Sequence, residues 1–402
     1  DGSRILGLGD LGSNGMGIPV GKLSLYVACA GIYPGKTLPV MLDVGTNNQD
    51  LQSDILYLGE KHNRLSGEEY YEMVEEFVDA VTARWPKVLI QFEDFTNDHA
   101  FPLLELYHKS VLCFNDDIQG TGSVALAGIL SALRVTEEPL SKQRFVFLGA
   151  GSAAVGIANM IVSGLVDEGL SPEEARELFW LIDSQGLVLK SRTAELAAHK
   201  IPYAQSGDLT GSLLEVVRQV KPTVLIGVSK QAGSFNEDVI REMQSHVSRP
   251  LIMALSNPTS KSECTAEQAY RWTAGKALYA SGSPFPPVTL AGKVFVPGQG
   301  NNMYIFPGVG LGAILCHSGQ VTNSMFYTAA KVLSEQVTFE ELEVGKLYPD
   351  LKTIRQISAQ IAVAVCEVAF EEKIAQIERP LDLLKFVKQR MFHPHYVAFK
   401  AV

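Results

Sequence analysis

The strongest constraint on the fold is a glycine turn that lies between a buried strand and an apolar helix. Residues 145–148 form a short apolar run, which Gly149-x-Gly151-x-x-Ala154 and an apolar helix to about Val166 follow. A second β-forming run at residues 178–182 completes the pattern. A strand, a crossover helix and a parallel strand make a βαβ unit, so the pattern predicts an α/β fold.

Further runs of the same kind follow along the chain. Strands are predicted at residues 223–228, 251–255 and 277–280. Helices are predicted between them, at residues 236–243 and 266–273. The alternation of strands and helices predicts a Rossmann-type, doubly wound parallel sheet.

The regions on either side of this sheet predict a second α/β domain and a helical carboxyl-terminal part. Upstream, apolar residues recur at helical spacing from residue 68 to residue 84, and two strand-like runs follow at residues 87–92 and 110–114. After Pro307 the pattern is mostly helical, with long candidates at residues 351–370 and 381–391.

Composition excludes several classes of protein. With 19% charged and 46% hydrophobic residues, the 402-residue chain has the composition of a globular protein of two or three domains. Its net charge of −10 disfavours nonspecific binding to nucleic acid or to an anionic membrane. The apolar runs fall short of a bilayer span, and the 5 scattered cysteines favour a reducing compartment. We therefore expect a soluble protein of the cytoplasm or an organelle matrix, with no nucleic acid and no membrane as partner.

The glycine turn has the context of a dinucleotide-binding loop. It follows a strand and opens a helix, so its backbone can approach a pyrophosphate that the helix N-terminus stabilises. A tight turn without a ligand is the alternative. The predicted cofactor contacts are Gly149, Gly151, Ser152, Ala153 and Ala154. A second match, Gly7-x-Gly9-x-x-Gly12, follows a strand-like run at residues 4–8 but lacks the alternating pattern, and we interpret it as a turn.

The end of the first βαβ unit carries signals for both NAD and NADP. Asp183 stands where an acid usually accepts hydrogen bonds from the ribose, which indicates NAD. Ser184 can donate to a phosphate, and Arg192 and Lys200 follow within reach of a loop, which indicates the 2′-phosphate of NADP. Surface lysines and arginines are most often only solvated, so spacing alone leaves the two cofactors nearly even.

Two clusters of carboxylates follow two neighbouring predicted strands. Glu93 and Asp94 come directly after the first strand, and Asp116 and Asp117 follow the second. Open α/β sheets bind ligands beyond the carboxyl ends of their strands, and a carboxylate set without histidine or cysteine suits Mg²⁺ or Mn²⁺. Glu93, Asp94 and Asp117 are therefore predicted metal ligands, with helix caps or solvated loop charges as the alternative.

Lys22 and two asparagines stay ambiguous from the residues alone. Lys22 lies at the start of an apolar helix, where a lysine is commonly a snorkelling edge residue. Burial beside a divalent ion would lower its pKa towards the range of a general base. Asn257 and Asn302 flank strand ends of the nucleotide-binding region, where asparagine by default forms turns.

Together these stretches resemble the malic enzymes of the long eukaryotic and bacterial type. The matching stretches, in the family's order, are residues 1–12, 17–22, 91–95, 114–120, 255–259 and 297–302. The resemblance implies oxidative decarboxylation of L-malate to pyruvate and carbon dioxide. It also implies a nicotinamide cofactor, Mg²⁺ or Mn²⁺, and a homo-oligomer, either a dimer or a tetramer.

The resemblance implies a role for each polar residue of the site. The three carboxylates resemble the family's metal ligands. Lys22 resembles its general base, with Asp116 as a close polar neighbour. Arg4 resembles the arginine that holds the substrate carboxylate. Asn257 and Asn302 resemble asparagines that contact malate, and Asn257 is also a predicted cofactor contact.

Two residues of the nucleotide-binding region resemble those of NADP-preferring members. These members carry a serine after the acid of the second strand and a lysine further along, which Ser184 and Lys200 match. The resemblance therefore favours NADP over NAD, with Asp183 and Arg192 as further cofactor-binding residues.

We divide the chain into three parts. Residues 1–115 with 302–373 form a discontinuous α/β substrate and metal domain, residues 116–301 form the Rossmann domain, and residues 374–402 form a carboxyl-terminal extension. The family has a helical region before the motif at Asp1, which supplies a tyrosine regarded as the general acid and part of the dimer contact. The sequence begins after that region, so we expect it to start inside a longer polypeptide.

Two other functions remain open. A non-decarboxylating NAD(P)-dependent 2-hydroxy-acid dehydrogenase would use the nucleotide loop without a three-carboxylate metal site. A catalytically incompetent cofactor-binding fragment would keep the loop without the chemistry.

Overall fold

A seven-stranded sheet forms the centre of the fold, and two two-stranded sheets accompany it. The computed structural model describes residues 1–5, 8–207 and 211–395. The strands are β1 Ile90–Phe92, β2 Cys113–Asn115, β3 Phe145–Leu148, β4 Phe179–Asp183, β5 Gly186–Leu187, β6 Val224–Gly227, β7 Leu251–Ala254, β8 Leu278–Ser281, β9 Val288–Leu290, β10 Lys293–Phe295 and β11 Gly298–Gln299.

Helices cover both faces of the large sheet. The α-helices are α1 Gly17–Ala30, α2 Gln49–Ser53, α3 Gly67–Arg84, α4 Asn97–Tyr107, α5 Thr121–Thr136, α6 Ser152–Asp167, α7 Pro172–Arg176, α8 Leu213–Val220, α9 Glu237–His246, α10 Ala266–Trp272, α11 Phe306–Leu315, α12 Asn323–Glu335, α13 Phe339–Glu343, α14 Ile354–Glu371 and α15 Leu383–Arg390. Short 3₁₀ helices are Gly12–Met16, Pro34–Lys36, Leu140–Lys142, Lys190–Glu195, Ala198–Tyr203, Thr259–Lys261, Asn302–Tyr304 and Leu351–Thr353, and a π-helical turn spans Asp116–Gly120.

The order of the large sheet is β11-β8-β7-β6-β3-β4-β5. All neighbours are parallel except β4 and β5. The chain runs outward from β3 to β4 and then crosses back to β6 on the other side of β3. At such a switch point the carboxyl ends of the strands leave a crevice where ligands bind. The predicted α/β fold with a doubly wound parallel sheet is confirmed.

Alternate residues of β3 enter two separate cores. Phe145 and Phe147 pack with α5 and α6 on one face, while Val146 and Leu148 pack with α8, α9 and α10 on the other. All four are buried, and each contributes about 1.5–3 kcal/mol of hydrophobic stabilisation. A strand that is apolar on both faces is what a sheet covered by helices on both sides requires.

The small sheet of β1 and β2 sits at the amino-terminal side of α5. The two strands are parallel, and Phe92 pairs with Asn115 in register. The predicted helix is present as α3, whose apolar stripe of Tyr70, Val74, Phe77 and Val81 packs on this sheet. Tyr70 and Val74 are buried, Phe77 and Val81 are partly buried, and Val78, which the spacing did not include, is buried as well. The register places the residues that follow β1 beside those that follow β2.

The carboxyl-terminal helices pack onto the Rossmann sheet and share its core. Helix α14 packs against α11 and α12, and α12 packs against α5 and α6. Two helical stretches, Asp116–Thr136 and Leu351–Glu371, have the length and apolar composition of membrane spans, yet 72% and 50% of their apolar windows are buried inside the protein. Both are core helices here. The division into residues 1–115 with 302–373, 116–301 and 374–402 stays a prediction.

The amino-terminal strand expected at residues 4–8 is not formed by the described residues. Ile5 and Gly9 make a single antiparallel bridge, and the backbone N–H groups of Leu8 and Gly9 both donate to the Ile5 carbonyl. Gly7, the first residue of the second glycine match, lies outside the described residues.

Candidate active site

The carboxylate cluster forms where β1 and β2 end. The strand β1 ends at Phe92, so the adjacent side chains of Glu93 and Asp94 are free of the alternation that a strand imposes. Asp94 has the left-handed backbone conformation, with φ of 58°. Its backbone N–H donates to Asp117 Oδ2 at 2.8 Å, which locks the two loops together.

The geometry of this cluster fits a hard divalent cation. Carboxylate oxygens of Glu93, Asp94 and Asp117 all lie within 4.8 Å of one another. Asp94 Oδ2 is buried and has no hydrogen-bond partner among the described residues. Burial, together with the charge of Asp117, raises the pKa of Asp94 to about 7. Burial also raises the pKa of Glu93, although Lys22 opposes this. Crowded, partly desolvated carboxylates are destabilised as anions, and Mg²⁺ or Mn²⁺ bound between them would relieve this.

Lys22 lies beside the cluster on α1. Its Nζ contacts Asp116 Oδ2, lies 2.9 Å from Glu93 Oε1 and stands 4.7 Å from the centre of the Phe306 ring. Burial alone would lower the pKa of Lys22, but the charges of Asp116 and Glu93 raise it above its ordinary value. The carboxylates alone therefore outweigh desolvation. The lowering expected from sequence applies to Lys22 beside a bound divalent ion and stays a prediction.

Asp116 is fixed by the π-helical turn that joins β2 to α5. A Cβ atom at Gly120 would overlap Asp116 Oδ1, so only glycine fits there. The Asn302 amide donates to Asp116 Oδ2 at 3.1 Å, to the Asp116 carbonyl at 3.2 Å and to Thr121 Oγ1 at 3.0 Å. Asn302 thus lies beside the ion pair of Lys22 and Asp116. Its contact with malate stays a prediction.

Arg4 connects the carboxylate side of the site with the glycine loop. Its Nη1 donates to Ser152 Oγ at 2.5 Å and lies 3.4 Å from Asn97 Oδ1. The same Asn97 oxygen accepts from the Ser152 N–H at 3.1 Å. The positive charge of Arg4 acts on Asp94, whose pKa it lowers in opposition to burial and Asp117.

The glycine loop has a conformation that favours glycine and lets its backbone approach the end of β6 closely. Gly149 has φ of 118°, and a Cβ atom there would lie 3.0 Å from the Val228 carbonyl group. Gly151 caps α6, and Ser152, Ala153 and Ala154 form its first turn. The helix N-terminus thereby opens into the crevice at the switch point, where it can hold a pyrophosphate.

Asp183, Arg192 and Lys200 form a second charged cluster at the end of β4. Arg192 Nη2 contacts both carboxylate oxygens of Asp183 at 3.0 and 3.1 Å, and Lys200 Nζ lies 2.9 Å from Oδ2. Burial alone would raise the pKa of Asp183, but hydrogen bonds from Lys200, Gln185 and Arg192 hold it below its usual range. Ser184 is adjacent and exposed.

Asn257 lies beyond the end of β7, apart from the carboxylates. Its Oδ1 accepts from Ser283 Oγ at 2.6 Å. Within the described ranges it makes no hydrogen bond to Lys22 or the acidic cluster, so its predicted contacts with malate and the cofactor stay predictions.

The structure adds polar and aromatic neighbours that sequence reasoning missed. Gln91 accepts from Tyr26 Oη at 2.7 Å and donates to Glu93 Oε2 at 3.0 Å. It belongs to the stretch 91–95, so its position before Glu93 was a usable signal. No local pattern singles out Asn97 or Phe306.

Comparisons with known proteins agree on one family. The model of the malic enzyme N-terminal domain matches residues 1–108, and that of the malic enzyme NAD binding domain matches residues 118–370. An NADP-dependent malic enzyme of Dictyostelium discoideum is 56% identical over 399 residues, which cover 98% of this chain and 73% of the relative. A mitochondrial NADP-dependent malic enzyme of Mus musculus is 51% identical, with 99% and 66% covered. The crystal structure of the Entamoeba histolytica malic enzyme superposes with a TM-score of 0.75 at 21% identity, over 97% of this chain and 72% of that one; at this identity it supports the fold alone.

Proposed function

The chain belongs to the malic enzyme family, and we propose that it converts L-malate to pyruvate and carbon dioxide by oxidative decarboxylation with NADP. The family expected from the sequence is confirmed. The cofactor and the reaction follow from relatives that carry NADP in their names and match nearly the whole chain.

One observation supports this reaction above the others. Lys22 contacts Asp116 and Glu93 beside three carboxylates, those of Glu93, Asp94 and Asp117, of which one oxygen each lies within 4.8 Å of the others. Oxidation followed by decarboxylation needs a base and a divalent cation, and this site places a lysine paired with a carboxylate beside a candidate cation site. A plain dehydrogenase of 2-hydroxy acids has no use for the three carboxylates.

Glu93, Asp94 and Asp117 would hold the cation, and the loop from Gly149 with the first turn of α6 would hold the cofactor pyrophosphate. When bound, the cation supplies stabilisation of negative charge on substrate oxygens, and NADP accepts a hydride. Arg4, whose guanidinium lies between the two groups, would pair with a substrate carboxylate.

Lys22 moves the proton of the substrate hydroxyl. Lys22 must be neutral to do this, and a cation held by Glu93, Asp94 and Asp117 would offset the carboxylate charges that raise its pKa. The neutral amine then takes the hydroxyl proton as the hydride leaves the carbon that bears the hydroxyl. The oxidised acid loses carbon dioxide, and the enolate that remains takes up a proton to give pyruvate. Asn302 holds Asp116 in place throughout.

Selectivity for NADP is proposed to lie in the cluster at the end of β4. Arg192 and Lys200 present two cations around one carboxylate, so a further anion is attracted there. The 2′-phosphate of NADP has the required charge, and Ser184 offers a hydroxyl next to it.

Turnover by the purified protein tests the proposal. The chain, alone and together with any sequence that precedes Asp1, is assayed for malate-dependent formation of NADPH with Mn²⁺ and with EDTA. Pyruvate should form in step with NADPH, and EDTA should abolish both. Accumulation of oxaloacetate, or turnover that survives EDTA, would instead establish a non-decarboxylating dehydrogenase.

Assembly and compartment stay predictions. The homo-oligomer expected from the resemblance is testable by sedimentation at several protein concentrations. The matched relatives include one whose name specifies mitochondria, so the shared fold and site do not by themselves select the cytoplasm or an organelle matrix.

A further inference from the structure

A fully buried carboxylate, Glu263, joins two loops at the rim of the site. Its residue exposure is 0%. One loop follows β6 and contains Ser229, and the other follows β7 and contains Ser256. Glu263 Oε1 accepts from the Ser229 N–H at 3.2 Å and from Ser256 Oγ at 2.5 Å, and Oε2 accepts from the Ser256 N–H at 3.4 Å.

Ser256 passes this constraint on to Lys230. The Lys230 N–H donates to Ser256 Oγ at 2.8 Å, and Lys230 has the left-handed conformation, with φ of 60°. A lysine rarely adopts this conformation, so the hydrogen bond helps to maintain it. Burial and the nearby charge of Arg4 lower the pKa of Lys230 while the charge of Asp94 opposes them, which places the lysine within electrostatic reach of the site.

The neighbouring backbone is built around this carboxyl group. A Cβ atom at Gly227, the last residue of β6, would overlap the Glu263 carboxyl. The Glu263 carbonyl accepts from the Phe235 N–H at 3.0 Å, and the Ser262 carbonyl accepts from the Gly233 N–H at 3.2 Å. The segment after β7 thus holds the whole loop after β6.

Burying a carboxylate costs desolvation free energy. Burial raises the pKa of Glu263, and the hydrogen bond from Ser256 only partly offsets this. An apolar side chain of similar volume would pack without that cost. Its three hydrogen bonds instead go to the two loops, one of which continues directly into Asn257.

We propose that Glu263 is a positioning residue, which acts through Ser256 to hold Asn257 and Lys230 at the mouth of the site. The proposal rests on the proposed function, in which Asn257 contacts malate and the cofactor. It assigns Glu263 no contact with either, and no part in binding the cation.

The variant Glu263→Gln tests this, with Glu267→Gln on the exposed face of α10 as the matched control. The amide keeps the shape but no longer accepts from all three donors. We expect the KM values for malate and NADP to rise by about 3- to 10-fold, the equivalent of one net hydrogen bond, with a smaller change in kcat. The Kd for Mn²⁺, measured by titration calorimetry, should stay unchanged, and the control should match the wild type.

A double-variant cycle separates positioning from general stability. Ser256→Ala should raise the same KM values, and combining it with Glu263→Gln should add little, because both interrupt one connection. If Glu263→Gln does not fold, Ser256→Ala alone should still show the split between KM and Mn²⁺ affinity. Unchanged KM values, or an equal weakening of Mn²⁺ binding, would overturn the proposal. An inactive wild type would instead contradict the proposed function.

Discussion

Two charged clusters of this molecule carry an excess of opposite charge, one negative and one positive. Near β1 and β2, the ammonium group of Lys22 contacts Asp116 and Glu93, and Asp94 and Asp117 lie close to Glu93. At the end of β4, two cations surround the single carboxylate of Asp183. The pKa of Asp94 is raised in the first cluster, and that of Asp183 is lowered in the second. An ionised aspartate is therefore disfavoured at Asp94 and favoured at Asp183.

The contrast indicates what each cluster is built to bind. Excess charge in a partly desolvated site is unfavourable until a ligand of opposite charge arrives. The acidic cluster therefore suits a divalent cation, and the basic one suits a phosphate. Removing one charge from either side should affect one ligand and leave the other alone.

The largest effect is expected from Lys22→Ala, which removes the cation that contacts Asp116 and Glu93 in the acidic cluster. Loss of a general base lowers turnover by about 10²- to 10⁴-fold. NADP affinity should stay near that of the wild type, because Lys22 lies apart from the basic cluster. Steady-state kinetics with malate measure the loss, with Lys109→Ala at an exposed position as the control. Undiminished turnover would reject Lys22 as the base.

A smaller effect is expected from Asp117→Asn, which makes the acidic cluster less negative. The amide oxygen can still accept from the Asp94 N–H, so the loop geometry should survive. We expect Mn²⁺ affinity to fall by about 100-fold, since even indirect partners of a metal site are worth 10- to 100-fold. Titration calorimetry measures it, and Asp79→Asn on the surface of α3 should bind Mn²⁺ like the wild type. Equal affinities would remove Asp117 from the site.

Lys200→Gln tests the basic cluster in the same way. A hydrogen bond to a charged group contributes about 1.5–3 kcal/mol, so kcat/KM with NADP should fall by roughly tenfold or more. The value with NAD, which lacks the 2′-phosphate, should hardly change. Lys190→Gln, on the preceding 3₁₀ helix, is the control. An equal loss with both cofactors, or a wild type that prefers NAD, would make Lys200 an ordinary surface lysine.

The smallest effect concerns the stability that Asp183 contributes as a function of pH. Its native pKa is lowered, so its contribution is present above its unfolded pKa of about 3.9 and is lost as pH falls through the native value. We expect wild type to exceed Asp183→Asn by up to about 1 kcal/mol at pH 7, with the gap narrowing below about pH 4. Urea unfolding across pH measures this, and a gap that widens in acid would contradict it.

The sequence was most informative where local pattern and fold coincide. The strand β3 occupies the predicted residues 145–148. Four consecutive apolar residues that end at a glycine turn are typical of a buried strand in an α/β chain. The carboxylates lie together as expected, since parallel neighbouring strands end at one edge.

Contacts between distant parts of the chain could not be predicted from local sequence patterns. Lys22 and Asp116 are 94 residues apart, and only the resemblance connected them. The lowered pKa expected for Lys22 presupposes a bound cation, and its size depends on how many carboxylates surround the amine, which the sequence does not give. The ambiguity between NAD and NADP has a structural cause, because Arg192 and Lys200 both form ion pairs with Asp183. The carboxylate is therefore not a free acceptor for the ribose, and its repulsion of a phosphate is offset by the two cations.

The two short strands β1 and β2 have a consequence for how the chain tolerates changes of length. Each strand has three residues, and their pairing sets where the carboxylates of the acidic cluster emerge. One residue inserted between Phe92 and Glu93 would move Glu93 and Asp94 one position farther from the end of β1 and so separate them from Asp117. One residue inserted at the exposed Lys109 or Ser110, in the connection before β2, would only lengthen a surface loop. Insertions and deletions compatible with activity should therefore collect in that connection and be excluded from the few residues around each strand end.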